Sequence, residues 1–134
     1  MAIPNPYEKM RQNAILTTPK EELTLMLYDG AVRFLNQAIT ALEARDYIKT
    51  NELAIKTQQI IREFQLTLDT KYEVAQNMAV LYDYIHTLLW EGNIEKSTAK
   101  LDEARTMIRE LRDTWKEAML LAKARHPTAH VTQA

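Results

Sequence analysis

One pair of side chains in this sequence has a spacing that could bind a metal ion. Asp83 and His86 are three residues apart, which places them on the same face of a helix. Di-metal sites in four-helix bundles take an acidic-x-x-His pair from each of two helices, together with further carboxylates. Here the pair occurs once, with aspartate in place of glutamate, and the other histidines, His126 and His130, lie close to the C-terminus. The pattern favours a solvated or locally hydrogen-bonded histidine over a metal ligand.

His86 could alternatively accept a phosphoryl group on the surface of a bundle, as in a phosphorelay module. Such a site wants a nearby lysine and a glycine that lets a partner approach, whereas Thr87, Leu88 and Leu89 follow His86. The chain has no cysteine, no Gly-rich phosphate loop, no Gly-x-Ser-x-Gly motif and no His-Glu-x-x-His motif. We therefore predict a protein that is not an enzyme and has no metal or cofactor, with a His86-centred phosphotransfer bundle as an alternative.

The elements that must position these side chains are helices. The chain of 134 residues fits one domain, and its two glycines and four prolines fall near segment ends. Thr18 and Glu21 form a capping box around Pro19, which predicts the start of a first helix with apolar stripes from Leu23 to Leu42. Asp46 is placed to cap a second helix, which we expect to end near residue 69.

Two further helices are predicted, at about 72–91 and 97–124. Gly92 stands where a left-handed C-cap would end the third helix. The core face of the third helix is predicted to contain Val74, Met78, Leu81, Ile85 and Leu88. The fourth carries one apolar face with spacings of three and four residues, made of Leu101, Ala104, Ile108, Leu111, Trp115, Ala118 and Ala122.

These segments predict an all-α fold, an antiparallel up-and-down four-helix bundle with a short N-terminal arm or helix packed outside. We expect a mobile arm at 1–17, the bundle at 18–124 and a disordered tail at 125–134. The apolar face of the first helix is wide enough for burial on two sides, or for a groove that takes a partner. Many aromatic and methionine side chains also suit a partner helix or an extended peptide.

Charge and hydropathy narrow the partners and the compartment. The chain has 17 basic and 18 acidic residues that alternate along it, so binding to nucleic acid is disfavoured. The first ten residues do not resemble a secretory signal, and no apolar run is long enough to span a bilayer. We expect a cytoplasmic protein with no membrane insertion. Asp29 and Asp83, each beside a tyrosine, are predicted to anchor hydrogen bonds between helices.

A series of short motifs resembles a known family in both order and spacing. The motifs are Asn5-Pro6-Tyr7, Thr18-Pro19, the segment from Leu23 to Gly30, Gln58-Gln59-Ile60-Ile61, Thr67-Leu68-Asp69, Leu81-Tyr82-Asp83-Tyr84 and the segment from Leu111 to Ala118. Together they cover about residues 3 to 120 and resemble the FliS family of flagellar export chaperones. Met10 stands where that family commonly has a second aromatic residue.

The resemblance implies a cytosolic chaperone that binds the disordered C-terminal segment of flagellin and prevents premature polymerisation. It also implies delivery of flagellin to the cytoplasmic domain of the flagellar type III export gate, with Tyr7 and Met10 of the arm as gate contacts. We further hypothesise that Ile3, Tyr7 and Met10 cover an apolar groove until the client arrives. A helical interaction module for another client is the alternative.

Three residues of the first motif in the bundle have two possible roles. Leu27, Tyr28 and Gly30 are candidate client contacts, but they could equally be required for packing. A glycine inside a helix costs about 1 kcal/mol relative to alanine, so Gly30 indicates close approach of another helix or of bound peptide.

Overall fold

A computed structural model describes residues 20–69 and 73–125 of the chain. The helices are α1 Lys20–Glu43, α2 Tyr47–Thr67, α3 Glu73–Glu95 and α4 Thr98–Arg125. Each helix packs on the two that neighbour it in a ring, α1 on α2 and α4, and α3 on α2 and α4. Since the connections are short, consecutive helices run antiparallel. The predicted all-α four-helix bundle is confirmed, whereas residues 1–17 and 126–134 lie outside the described residues.

The two tight turns of the bundle share one hydrogen-bonding pattern. After α1, Arg45 adopts a left-handed φ of 61°, and the Asp46 N–H donates back to the Ala41 carbonyl at 2.8 Å. After α3, Lys96 adopts a φ of 53°, and the Ser97 N–H donates to the Gly92 carbonyl at 2.9 Å. These are Schellman turns, which satisfy the last carbonyl groups of a helix.

The residue that follows each left-handed position caps the next helix. The Asp46 carboxylate accepts the Lys49 N–H at 3.1 Å, as predicted, and the Ser97 hydroxyl accepts the Lys100 N–H at 3.2 Å. Each turn therefore ends one helix and starts the next within three residues, which fixes the antiparallel pairing of neighbouring helices.

The prediction that Gly92 ends the third helix is wrong. Gly92 lies inside α3, which continues to Glu95, and Lys96 takes the left-handed position. The reason for glycine is packing, because a Cβ at this position would lie 2.8 Å from Leu101 Cδ2. Leu101 is fully buried, so α4 approaches α3 at Gly92 more closely than any larger residue would allow.

The core contains side chains from all four helices, including Leu35, Ile60, Ile85 and Ile108, which are fully buried. An aromatic cluster at one level of this core joins three helices. The Phe64 ring lies 4.5 Å from the Tyr28 ring and 5.6 Å from the Tyr82 ring, measured between centroids. The cluster connects α1, α2 and α3 through the middle of the bundle.

The predicted core face of α3 is confirmed at Ile85 and Leu88, which are buried, and is displaced by one residue at two other positions. Val74 and Leu81 are exposed, and Ala75 and Tyr82 are buried in their place. Tyr82 faces the core because its ring packs on Phe64 and its hydroxyl has a partner there. Spacing alone cannot separate two apolar rows that are offset by one position.

The apolar face of α4 is buried along the first part of the helix and becomes accessible along the last. Leu101, Ala104 and Ile108 are fully buried, Trp115 is half-buried, and Ala118 is exposed. The Trp115 Nε1–H donates to the backbone carbonyl of Glu21 at 3.0 Å, so this ring connects α4 to the start of α1. Leu120 and Leu121, near the end of α4, are likewise exposed.

Candidate binding surface

Of the two residues that could have bound a metal, Asp83 is engaged in a contact between helices. Asp83 accepts a hydrogen bond from Gln65 Nε2 at 2.7 Å, which links α3 to α2 and confirms the anchoring role predicted for this aspartate. His86 is half-buried beside Arg62 and Glu63 of α2. Across residues 20–69 and 73–125, no three His, Asp or Glu side chains group closely enough to hold a metal ion.

The bundle has many large apolar side chains at its surface, in addition to those of its core. Several are more than half exposed, although soluble proteins usually leave only scattered apolar residues at the surface. They lie on α2, α3 and α4, outside the buried stripe of each helix. The large apolar residues with at least a third of their surface exposed are Tyr47, Ile48, Ile55, Leu66, Val74, Val80, Leu81, Tyr84, Trp90, Ile94, Leu120 and Leu121.

Part of this apolar surface forms a groove between α2 and α3, of about 600 Å³. We call it the α2–α3 groove. Its apolar side chains are Ile55, which is 42% exposed, Trp90, 55% exposed, and Ile94, 59% exposed. The groove is lined by Asn51, Ile55, Gln58, Gln59, Arg62 and Glu63 of α2 and by His86, Trp90, Asn93 and Ile94 of α3.

Amide side chains hold the apolar end of the α2–α3 groove together. Asn93, which is buried, donates from Nδ2 to Asn51 Oδ1 at 2.8 Å and accepts a hydrogen bond from Lys96 Nζ at 2.9 Å. The Lys96 ammonium also lies 5.9 Å from the centre of the Tyr47 ring. These contacts fix α2 against α3, so the groove is preformed rather than opened by its ligand.

A second apolar concavity lies between the first half of α1 and the last turns of α4. Its volume is about 360 Å³, and it combines apolar and methionine side chains with a few charged groups. Methionine is flexible and polarisable, which suits surfaces that must adapt to a ligand. The lining residues are Glu22, Leu25, Met26, Asp29, Lys116, Met119 and Leu120.

The predicted site residues of α1 lie inside the bundle. Leu27, Tyr28 and Gly30 are all buried. Their neighbour Asp29 forms an ion pair with Arg112 at 3.5 Å, which joins α1 to α4. The other predicted site residues, Ile3, Tyr7 and Met10, lie outside the described residues.

The Tyr28 and Tyr82 hydroxyls are hydrogen-bonded to each other at 2.6 Å in the interior of the bundle. Burial raises the pKa of both phenols above the usual tyrosine value, because a phenolate is poorly solvated there. Both phenols therefore stay neutral at physiological pH, and one hydroxyl donates its hydrogen bond to the other. This pair is a structural feature of the core.

Sequence reasoning missed the α2–α3 groove, although part of the signal was present. Ile48 and Ile55 are seven residues apart on one face of α2, outside the stripe that contains Leu53 and Ile60. A second apolar row on a helix indicates a second contact surface. Trp90 is one of many aromatic residues in the chain, and spacing alone does not determine which of them are buried.

None of the helices that the structure describes combines the length and the apolar character of a membrane span. A long α-helix needs roughly 20 predominantly apolar residues for this purpose.

Comparison with known proteins agrees with the resemblance found in the motifs. A family described as "Flagellar protein FliS" matches residues 3–122. The chain is 40% identical over 119 residues to the "Flagellar secretion chaperone FliS" of Bacillus subtilis (strain 168), covering 89% of this chain and 90% of that protein.

Two proteins of the same name are similar over shorter spans. The Escherichia coli (strain K12) protein is 26% identical over 112 residues, covering 81% of this chain and 82% of its own. The Salmonella typhimurium protein is 28% identical over 109 residues, covering 79% of this chain and 81% of that protein. The match along nearly the whole chain confirms the predicted resemblance, and the chain belongs to the FliS family of flagellar proteins.

Proposed function

We propose that this protein is a flagellar secretion chaperone that binds the C-terminal segment of flagellin in the cytosol, prevents its premature polymerisation and delivers it to the flagellar export gate. The similar proteins of Bacillus subtilis and Escherichia coli are flagellar secretion chaperones, which supports the chaperone role. The client and the gate follow from the family resemblance in the motifs. The role is one of binding alone, without chemistry on the client.

The observation that carries this proposal is the apolar surface left exposed on a well-packed bundle. Trp90, Ile94 and Ile55 form one preformed groove, and Leu120 lies in a second concavity on the other side of the ring. A folded globular client would offer few apolar groups to such separated grooves. A disordered amphipathic segment can wrap around the bundle and fill both, because it folds on the surface that binds it.

The energetics suit a chaperone that must later release its client. Ordering a disordered segment costs roughly 2 to 5 kcal/mol of the gross interaction energy. Binding therefore needs a large wrapped interface, and each contact along it contributes only a part of the affinity. Such a complex can be dismantled stepwise from one end, which is compatible with handing an unfolded chain to an export gate.

The N-terminal arm and the buried residues of α1 have separate roles in the proposal. Residues 1–17 cover apolar surface in the free protein through Ile3, Tyr7 and Met10, and Tyr7 and Met10 contact the cytoplasmic domain of the export gate. Of the two roles considered for Leu27, Tyr28 and Gly30, their burial favours packing over client contact.

A polymerisation assay tests the proposed function. Monomeric flagellin is induced to polymerise and followed by light scattering, alone and with an equimolar amount of this protein. We expect the chaperone to delay and reduce polymerisation, and flagellin that lacks its C-terminal segment to show no complex with it on gel filtration. Unchanged polymerisation in the presence of folded protein, checked by circular dichroism, would contradict the proposal.

A further inference from the structure

We infer that Lys96 is a positioning residue of the α2–α3 groove, because its ammonium orients the Asn93 amide that holds α3 against α2. This inference rests on the proposed function, since the groove is taken to bind part of the flagellin segment. Lys96 is not among the side chains that line the groove. It therefore controls the affinity for the client through its neighbours, without a contact of its own.

The first observation is the backbone conformation of Lys96. It adopts a left-handed φ of 53° in the turn after α3, a position that glycine commonly takes at the end of a helix. A residue with a Cβ is disfavoured in this conformation. Lysine therefore costs stability here, and its side chain is the feature that glycine could not supply.

The second observation is the set of contacts that the Lys96 side chain makes. Its ammonium donates to Asn93 Oδ1 at 2.9 Å, and Asn93 Nδ2 donates to Asn51 Oδ1 of α2 at 2.8 Å. An ammonium group can only donate, so it fixes which end of the Asn93 amide faces α2. The same ammonium lies 5.9 Å from the centre of the Tyr47 ring, at the start of α2. Lys96 thus ties the turn after α3 to α2 by two routes.

The third observation is the place of the Asn51–Asn93 hydrogen bond in the groove. Asn93 follows Trp90 by three residues on α3, and Asn51 precedes Ile55 by four residues on α2. These spacings put each amide on the same face of its helix as the apolar residue, and all four side chains line the groove. The bond therefore holds the apolar end of the groove at one width, and Lys96 orients the amide that makes it.

The turn after α1 contains a matched control. Arg45 occupies the equivalent left-handed position there, with a φ of 61°, and the same pattern of backbone hydrogen bonds surrounds it. Its side chain is exposed, and its guanidinium has no hydrogen bond or ion pair within residues 20–69 and 73–125. Substitution of Arg45 therefore reports the effect of the backbone position alone.

The test measures association and dissociation rates with flagellin for substituted full-length chains. Lys96→Met removes the ammonium and keeps an unbranched stem, and Arg45→Met is its control. We expect Lys96→Met to weaken binding by roughly 5- to 10-fold, because the groove is then competent to bind for only about a tenth to a fifth of the time. The loss should appear in the association rate, since no contact with the client is removed and the dissociation rate therefore stays within about twofold. Arg45→Met should bind within about twofold of the unmodified protein.

Glycine variants separate binding from stability. Lys96→Gly relieves the left-handed backbone, so its Tm should exceed that of Lys96→Met, although it should bind flagellin as weakly as Lys96→Met does. Arg45→Gly should raise the Tm of the unmodified protein and leave binding unchanged. If Lys96 acted only through the stability of the fold, the higher Tm of Lys96→Gly would restore the affinity.

A double variant tests the route through the amides. Asn51 is exposed, so Asn51→Ala should fold, and it should weaken flagellin binding. Lys96→Met added to Asn51→Ala should cost less affinity than it does alone, because both substitutions act on the orientation of Asn93.

Two results would overturn the inference and leave the proposed function intact. One is flagellin binding by Lys96→Met as tight as that of the unmodified protein, and the other is an equal loss of binding in Arg45→Met. If the unmodified protein does not bind flagellin at all, the proposed function fails, and the role of Lys96 fails with it.

Discussion

Replacing Tyr82 by phenylalanine should destabilise the bundle more than replacing both Tyr82 and Tyr28. The two hydroxyls are 2.6 Å apart in the core and are hydrogen-bonded to each other. In Tyr82→Phe the Tyr28 hydroxyl stays buried without that partner, which costs about 1 to 3 kcal/mol. The double variant leaves two apolar rings against Phe64, so no buried hydroxyl remains unsatisfied.

The magnitude is measurable by thermal or urea unfolding followed by circular dichroism. For a chain of 134 residues, a loss of 1 to 3 kcal/mol corresponds to a fall in Tm of roughly 4 to 11 °C. We expect the double variant to recover a substantial part of that loss, which gives a favourable coupling energy in the double-mutant cycle. Tyr84→Phe is the control, because the exposed Tyr84 hydroxyl donates to Glu103 at the surface and should matter little.

Alkaline pH provides a second readout of the same pair. Burial raises the pKa of both phenols in the folded state above the unfolded value of about 10. The folded protein therefore retains protons that the unfolded chain loses, so stability is full below about pH 10 and falls as the pH rises above it. The double phenylalanine variant should lose less stability between neutral and alkaline pH than the unmodified protein does. The reasoning about the pair is refuted if the two single losses simply add in the double variant and the alkaline profile is unchanged.

Three further predictions concern the rest of the chain. Gly92→Ala should destabilise the fold by about 1 to 3 kcal/mol in urea unfolding, because its Cβ would lie 2.8 Å from Leu101 Cδ2; the effect should shrink in a Leu101→Ala background, and an equal effect there would count against the packing explanation. Deletion of residues 1–17 should expose apolar surface and raise the fluorescence of a hydrophobic dye, whereas unchanged dye binding would argue against a covering arm. His86→Gln should leave flagellin export and motility intact, since we assign no phosphotransfer to this side chain and glutamine keeps a polar group in the α2–α3 groove; loss of motility with unchanged flagellin binding would favour the phosphorelay alternative.

The sequence predicted helices well where a local chemical signal marks their ends. Asp46 was recognised as a cap from its type and position, and it caps α2 in the structure. Gly92 misled the same reasoning, because glycine is needed there for the approach of Leu101, a contact between helices that no local signal reveals. Lysine and arginine occupy the left-handed positions instead, which sequence preference does not favour.

The binding surface was harder to predict than the fold for a related reason. Apolar spacing identifies residues that share a face but does not show which of two adjacent faces meets the core. Tyr82 is buried and Leu81 is exposed, because the Tyr82 ring packs on Phe64 of α2 and its hydroxyl bonds Tyr28 of α1. The packing of α2 on α3 leaves Trp90 and Ile55 at the surface, which the sequence alone does not show. Family motifs indicated the client, whereas the groove required the three-dimensional arrangement.

Calorimetric titration of this protein with the C-terminal segment of flagellin from the same organism tests the central claim most directly. The account predicts saturable one-to-one binding with a large negative heat-capacity change, because a disordered segment folds onto apolar surface and buries it. Absence of binding, by the isolated segment and by full-length flagellin alike, under conditions where the bundle is folded would contradict the claim that flagellin is the client.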